Sequence, residues 1–256
     1  MNDLPRSALS EDEVNEILRA GGEIAILVGG QALAVWASFY RVEIPAALSG
    51  NVTRDADFIG TKDTALIIKA ALSNQDWTFE PVRAGSLSPV VAQLVLRSDD
   101  GIKEIDFLGS IVGLRTHEVR RRAVPVCLPD GSVVTVLHPL DVLASRLHNL
   151  AELPEKRTAK GVAQAQLAIG IAGAFLRDTI ARGQERDVYN QIERMRLIVT
   201  HPAIATICRE YGLDVLAGVP LEQIRNENFR VRRWPQIQRE VAEAVGPGAA
   251  LGDEGR

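Results

Sequence analysis

The pattern of the sequence changes near residue 138. Before this point, short apolar runs alternate with turns that contain Gly, Asp or Pro, which is typical of strands mixed with helices. Beyond it, from Pro139 to Val245, nearly every segment has the apolar spacing of a helix. Strands followed by a run of helices predict an α+β fold, a mixed sheet with flanking helices and then a helical part. We predict an α/β domain over residues 1–138, a helical domain over 139–246 and a disordered tail over 247–256.

Composition is that of an ordinary globular protein. Of the 256 residues, 46% are hydrophobic and 24% are charged, which excludes a disordered chain, a collagen-like repeat and a multi-span membrane protein. The net charge of −4 gives no global basic field, so any nucleic-acid surface has to be local. The two cysteines are far apart, the N-terminus lacks a signal pattern, and glycines interrupt the apolar stretch Ile24–Tyr40. We expect a cytoplasmic protein that has no membrane partner.

Local signals predict several elements in the first part of the chain. Ser10 followed by Glu13 is a capping-box pattern, which predicts a helix that ends near Gly21. An Asp-Gly pair between two apolar runs favours a β-hairpin. Two hairpins are predicted in this way, one between residues 91–97 and 102–108 and one between residues 124–128 and 133–137.

Acidic residues in strand-like runs are the first candidates for a functional site. Asp55 and Asp57 are two residues apart in a predicted strand over 54–59, so both side chains point to one face, about 6.6 Å apart along the backbone. Carboxylates this close repel each other unless a cation lies between them, and Mg²⁺ prefers oxygen ligands of this kind. A solvated strand face is the alternative explanation for an isolated Asp-x-Asp pair.

Asp106 adds a third carboxylate. It lies between Ile105 and Phe107 in the second strand of a predicted hairpin, where a charge is costly to bury without a partner. If this strand is the neighbour of residues 54–59, the three carboxylates converge. Glu104 shares the face of Asp106, and it is either a fourth acid or a charge at the rim.

Gly29 and Gly30 follow a strand-like run over residues 23–28 and precede helical spacing over 31–40. A glycine turn between a strand and a helix presents backbone N–H groups and the positive end of the helix dipole to a phosphate. Because glycine has no Cβ, the phosphate can approach the backbone closely. The alternative is a tight turn that binds nothing.

In their order and spacing, these elements resemble the nucleotidyltransferase-fold superfamily, the polymerase-β-like transferases. Within it, the nearest branch contains the AbiEii-type toxins and related minimal nucleotidyltransferases. The resemblance covers roughly residues 20–160 and rests on the segments LVGGQALAVW, TRDADF and KEIDFLG. It implies a nucleotidyltransferase-like sheet followed by a helical C-terminal domain. It also implies that Asp55 and Asp57 are the paired metal-binding acids, that Asp106 is the third catalytic and metal-binding acid, and that Gly29 and Gly30 hold the triphosphate.

The segment over residues 137–157 resembles the helix that follows the catalytic sheet in that superfamily, which often carries a basic residue near the nucleotide. Arg146, Asn149 and Lys156 are therefore candidate nucleotide-binding residues, and a solvated helix end is the alternative for each. Arginine clusters over residues 115–122 and 225–233 are either local RNA contacts or ordinary charged surface.

The activity that follows is transfer of a nucleoside monophosphate from a nucleoside triphosphate to an acceptor hydroxyl, with Mg²⁺ or Mn²⁺ as cofactor. The acceptor is expected to be tRNA or a protein if the chain is toxin-like, and a cognate antitoxin would then be its partner. Two alternatives remain. One is an adenylyltransferase that modifies a small molecule of the antibiotic type, and the other is a catalytically degenerate binding module on the same fold.

Overall fold

A computed structural model describes residues 5–48, 55–83 and 88–246, so Arg54 and the tail over residues 247–256 lie outside the described residues. The described residues form a mixed α+β fold, as the sequence predicts. The strands are β1 (Ile26–Val28), β2 (Ala56–Ile59), β3 (Thr78–Pro81), β4 (Val90–Ser98), β5 (Gly101–Leu108), β6 (Val124–Cys127) and β7 (Val133–Val136). The helices are α1 (Glu11–Gly21), α2 (Gly29–Tyr40), α3 (Lys62–Ala71), α4 (Thr116–Arg122), α5 (Pro139–Glu152), α6 (Ala159–Ala181), α7 (Glu185–Val199), α8 (Pro202–Tyr211) and α9 (Trp234–Val245).

The described residues fall into two compact units. The first lies within Met1–Val35 and Ser49–Val142, and the second lies within Trp36–Leu48 and Leu143–Arg256. All seven strands that the structure describes belong to the first unit and form one mixed sheet in the order β3-β4-β5-β2-β1-β7-β6. Strand β1 is antiparallel to β2 and parallel to β7, while β2 is parallel to β5.

One face of this sheet carries the core of the first unit. Phe58 on β2 and Phe107 on β5 are fully buried, and their rings stack with centroids 6.0 Å apart. Helices α1 and α3 cover this face, and Gly21 at the end of α1 lies so close to Phe58 that a side chain there would collide with the ring. Alternation along the strands therefore turns Asp57 and Asp106 to the opposite face.

Several local predictions are confirmed. Ser10 and Glu13 form a reciprocal capping box at the start of α1, which ends at Gly21. Both predicted hairpins are present as antiparallel pairs, β4 with β5 and β6 with β7. The predicted strand over residues 23–28 is shorter than expected, because regular pairing begins only at Ile26.

The sequence did not predict strand β3 or helix α4. Helix α4 contains the arginine run of residues 120–122, and its last residue, Arg122, forms an ion pair with a buried carboxylate. Arg122 donates from Nε and Nη2 to the two carboxylate oxygens of Asp141, at 3.0 and 2.9 Å, and Nη1 binds Glu118 at 2.8 Å. Asp141 is 0% exposed, so this fork links α4 to the first turn of α5.

Arg122→Gln is expected to destabilise the first unit strongly. The substitution leaves the buried Asp141 carboxylate without its bidentate cation, and breaking a buried ion pair in this way typically costs about 3 kcal/mol or more. Denaturant unfolding of the purified protein measures the effect. Arg121→Gln is the matched control, because Arg121 is exposed, and it is expected to change the unfolding free energy by less than about 0.5 kcal/mol. Equal stability of the two variants would contradict the assigned role of the ion pair.

The second unit is helical where it is described. Helix α6 carries a run of small residues, and a side chain at Gly173 would lie 2.6 Å from the carbonyl oxygen of Gly218, so two backbone segments touch there. In the part of the chain that the structure describes, α6 is the one helix long and apolar enough to cross a membrane, and half of that apolar window is buried within the fold. A core helix of a globular protein has the same properties.

Candidate active site

Two carboxylates lie side by side near the centre of the sheet. Asp57 on β2 is the register partner of Asp106 on the parallel strand β5. Register partners on adjacent strands are about 5 Å apart and project to the same face of the sheet. The expected pairing of the Asp106 strand with the strand that contains Asp57 is therefore confirmed.

This pair belongs to a straight row that crosses five strands. From the edge inward, Glu80 on β3 faces Gln93 on β4, Gln93 faces Asp106, Asp106 faces Asp57, and Asp57 faces Val28 on β1. The next residue after Val28 is the first of the glycine pair. The row thus joins the acids directly to the strand–helix turn.

Gly29 touches the Asp57 carboxylate. The expected strand, glycine turn and helix are present, because β1 ends at Val28 and α2 begins at Gly29. Gly29 has a φ of +65°, and a Cβ at this position would overlap Oδ2 of Asp57. Only glycine allows both the backbone conformation and the close approach of the acid. Gly30 follows in the first turn of the same helix, whose N-terminal end is favourable for negative charge.

Several neighbouring groups shift the pKa of Asp106. The carboxyl is half-buried, and burial raises its pKa above the ordinary value, with a further increase from the negative charge of Asp55. A hydrogen bond opposes this shift, because Nε2 of Gln93 donates to Oδ1 of Asp106 at 2.8 Å. The positive charge of Arg6 also lowers the pKa. Asp106 is therefore an acid that one neutral donor contacts directly and that charged neighbours influence from a distance.

Glu104 shares this acidic face. Its pKa is raised by burial and by the negative charges of Asp106 and Asp55, while Arg6 opposes the shift. Nη2 of Arg6 lies 2.9 Å from Oε2 of Glu104. Arg6 is positioned by the backbone, because Ser7 N–H donates to the carbonyl of Ile102 at 2.9 Å.

Asp55 lies one residue before β2 and is partly buried. Its charge influences the pKa of both Asp106 and Glu104, so it belongs to the same electrostatic cluster. Within the described ranges, however, no three His, Cys, Asp or Glu side chains are grouped so that they could hold a metal ion. The structure thus pairs Asp57 with Asp106 and places Asp55 nearby as a further negative charge, and the role of Asp55 as a metal ligand stays a prediction.

The predicted basic and amide contacts belong to the second unit. Arg146 on α5 donates from Nη1 to Oε1 of Gln164 at 3.2 Å, and Asn149 is partly exposed one turn further along the helix. Lys156 is exposed in a 3₁₀ turn over Pro154–Lys156. Their grouping with the acids around one nucleotide stays a prediction.

Sequence reasoning missed Gln93 and Arg6. For Gln93 a signal was available, because the two-residue turn between Ser98 and Gly101 fixes the hairpin register. Counting back equally along both strands from this turn brings Gln93 opposite Asp106. For Arg6 no comparable signal existed, since its contact with Glu104 depends on a short segment that joins the sheet from outside any predicted strand.

A pair of carboxylates beside a glycine turn at a helix N-terminus combines a cation-binding feature with an anion-binding feature. This combination suits a substrate in which phosphates and a divalent cation bind together. No model of a known protein family matches the chain, and no curated protein matches it.

Proposed function

We propose that this chain is a divalent-metal-dependent nucleotidyltransferase, which moves a nucleoside monophosphate from a nucleoside triphosphate to an acceptor hydroxyl. One observation carries the proposal. Asp57 and Asp106 are register partners on parallel strands, and the Asp57 carboxylate lies against Gly29 at a strand–helix turn. Cation ligands and a phosphate-binding backbone are thus adjacent in the fold.

Mg²⁺ or Mn²⁺ fits the donor set. Both ions prefer carboxylate oxygens, and Mg²⁺ is commonly held by one or two carboxylates together with substrate phosphates and water. Asp57 and Asp106 would hold the cation, and Asp55, one residue before β2, would add a third carboxylate. When bound, the cation neutralises the triphosphate and stabilises the attacking and leaving oxygens.

Other groups of the protein would bind the triphosphate and accept the proton. Backbone N–H groups at Gly29 and Gly30 bind the triphosphate at the start of α2. Oδ2 of Asp106 accepts the proton of the acceptor hydroxyl, since Oδ1 already accepts from Gln93. The acceptor oxygen forms a bond to the α-phosphorus, the bond from that phosphorus to the bridging oxygen breaks, and pyrophosphate leaves. No covalent enzyme intermediate is needed.

The finer predictions belong to the same proposal. They are a nucleotidyltransferase-like sheet, a helical C-terminal domain, and nucleotide contacts from Arg146, Asn149 and Lys156. The proposed setting is the cytoplasm, with tRNA or a protein as acceptor and a cognate antitoxin as partner. A small-molecule adenylyltransferase has the same chemistry and differs only in its acceptor.

A nucleotide-binding module without catalysis is the second candidate. It is favoured by one observation, the lack of a group of three metal-binding side chains among the described residues. Such a module would bind a triphosphate at the glycine turn and transfer nothing.

Melting curves and a labelling assay test the two candidates together. With Mn²⁺ plus a nucleoside triphosphate, the wild-type protein is expected to melt at a higher temperature. A ligand at a hundredfold excess over its dissociation constant adds about 2.7 kcal/mol to the unfolding free energy. Incubation with each α-labelled triphosphate and with tRNA, protein or small-molecule acceptors should label one acceptor class. Stabilisation without labelling would favour the binding module. The absence of both stabilisation and labelling would reject both candidates.

A further inference from the structure

Gln93 is the neighbour of Asp106 on the side away from Asp57. Its Nε2 lies 2.8 Å from Oδ1 of Asp106, and both side chains are partly buried. The bond restrains the rotation of the carboxylate, because the amide donor comes from the residue directly opposite on the paired strand. Oδ2 is then the oxygen that remains available to a ligand.

The group that donates to Asp106 is an uncharged amide, which affects how the carboxylate could bind a cation. A lysine or arginine at position 93 would cancel the charge of Asp106 and compete with a bound cation, whereas an amide orients the carboxylate and leaves its charge intact. Two cations that the structure describes on this face have acidic partners of their own. Arg97 pairs with Glu80 at 2.7 Å, and Arg6 pairs with Glu104 at 2.9 Å.

The register of the hairpin does not require this bond. Strands β4 and β5 are joined by a continuous antiparallel ladder from Ser98 and Gly101 to Ala92 and Phe107. This ladder holds the hairpin together without help from a side chain. A hydrogen bond between partly buried groups adds only about 1 kcal/mol to folding.

We propose that Gln93 is a positioning residue, which orients the Asp106 carboxylate so that Oδ2 faces the divalent cation and the acceptor hydroxyl. This inference rests on the proposed nucleotidyltransferase function. Side chains that orient a metal ligand from outside the ligand set commonly set metal affinity by a factor of about 10 to 100.

Gln93→Met is the test variant, because methionine has nearly the length of glutamine and no N–H group. Mn²⁺ alone is titrated into the full-length protein by calorimetry. The variant is expected to bind Mn²⁺ about tenfold more weakly than wild type. In the labelling assay its kcat is expected to fall while KM for the triphosphate stays within about twofold, since a misoriented acid affects the transition state more than the bound substrate.

Gln75→Met is the matched control. The Gln75 amide donates to the carbonyl of Leu72 in the same unit, and Gln75 is exposed. No hydrogen bond among the described residues joins it to the acidic row, so Mn²⁺ affinity should equal that of wild type. If Gln93→Met does not fold, Gln93→Leu takes its place. Equal Mn²⁺ affinity of wild type and a folded Gln93 variant would overturn the positioning role alone. A wild-type protein that binds no Mn²⁺ and labels no acceptor would instead remove the proposed function itself.

Discussion

Asp57→Asn is expected to reduce nucleotide transfer at least about a thousandfold while the protein stays folded. Asparagine keeps the size of the side chain and loses the negative charge that, in the proposed site, would hold the cation. The lost carboxylate is the one beside Asp106. Because Asp57 also lies against Gly29, the substitution changes the group at the meeting point of the acids and the glycine turn.

The same variant should not lose stability in the absence of ligands. In the metal-free protein, Asp55, Asp57 and Asp106 form one negatively charged cluster, and removal of one charge relieves repulsion. The melting temperature of Asp57→Asn without ligands is therefore expected to equal or exceed that of wild type. With Mn²⁺ and a triphosphate, wild type should gain much more stability than the variant.

Asp99→Asn serves as the control for this experiment, because Asp99 is exposed in the β4–β5 turn. The same chemical change there should leave transfer within about twofold of wild type and leave the ligand-induced shift intact. Full activity of Asp57→Asn would end the metal-dependent interpretation of the acidic face.

The sequence predicts the acidic pair well because period-two alternation is a strong local signal. Asp106 between two apolar neighbours, and Asp57 between Ala56 and Phe58, could lie only on the face opposite the core. The glycine turn was predicted for a similar reason, since a pair of glycines between a strand-like run and a helical run indicates a turn. These elements are determined by residues close to them in the sequence.

Other features depend on tertiary context. Asp55 was expected inside the strand, yet pairing begins at Ala56, so its side chain is not held by the sheet ladder as that of Asp57 is. Strand β3 was missed because none of its residues Thr78–Pro81 is fully buried and the segment lacks an apolar alternation. The Arg122–Asp141 ion pair joins residues that are 19 positions apart, which no local pattern encodes.

Gly29→Ala is expected to lower transfer at least about a hundredfold and to destabilise the protein by about 2 kcal/mol. Two separate effects act at this residue. The φ of +65° is unfavourable for any residue with a side chain, and the added Cβ would overlap Oδ2 of Asp57. The carboxylate must therefore move, and displacement of a reacting group by about 1 Å is enough for the loss of activity.

Gly131→Ala separates these effects. Gly131 lies in the β6–β7 turn of the same unit with a φ of +84°, and a Cβ there would meet nothing within 4 Å. This control should show only the backbone strain, about 1 kcal/mol, with transfer close to wild type. If both variants lost the same stability and neither lost activity, the contact between Gly29 and Asp57 would be irrelevant to function. If only Gly29→Ala loses transfer, and its Mn²⁺ affinity falls as well, the damage lies in the acid that Gly29 accommodates rather than in the turn.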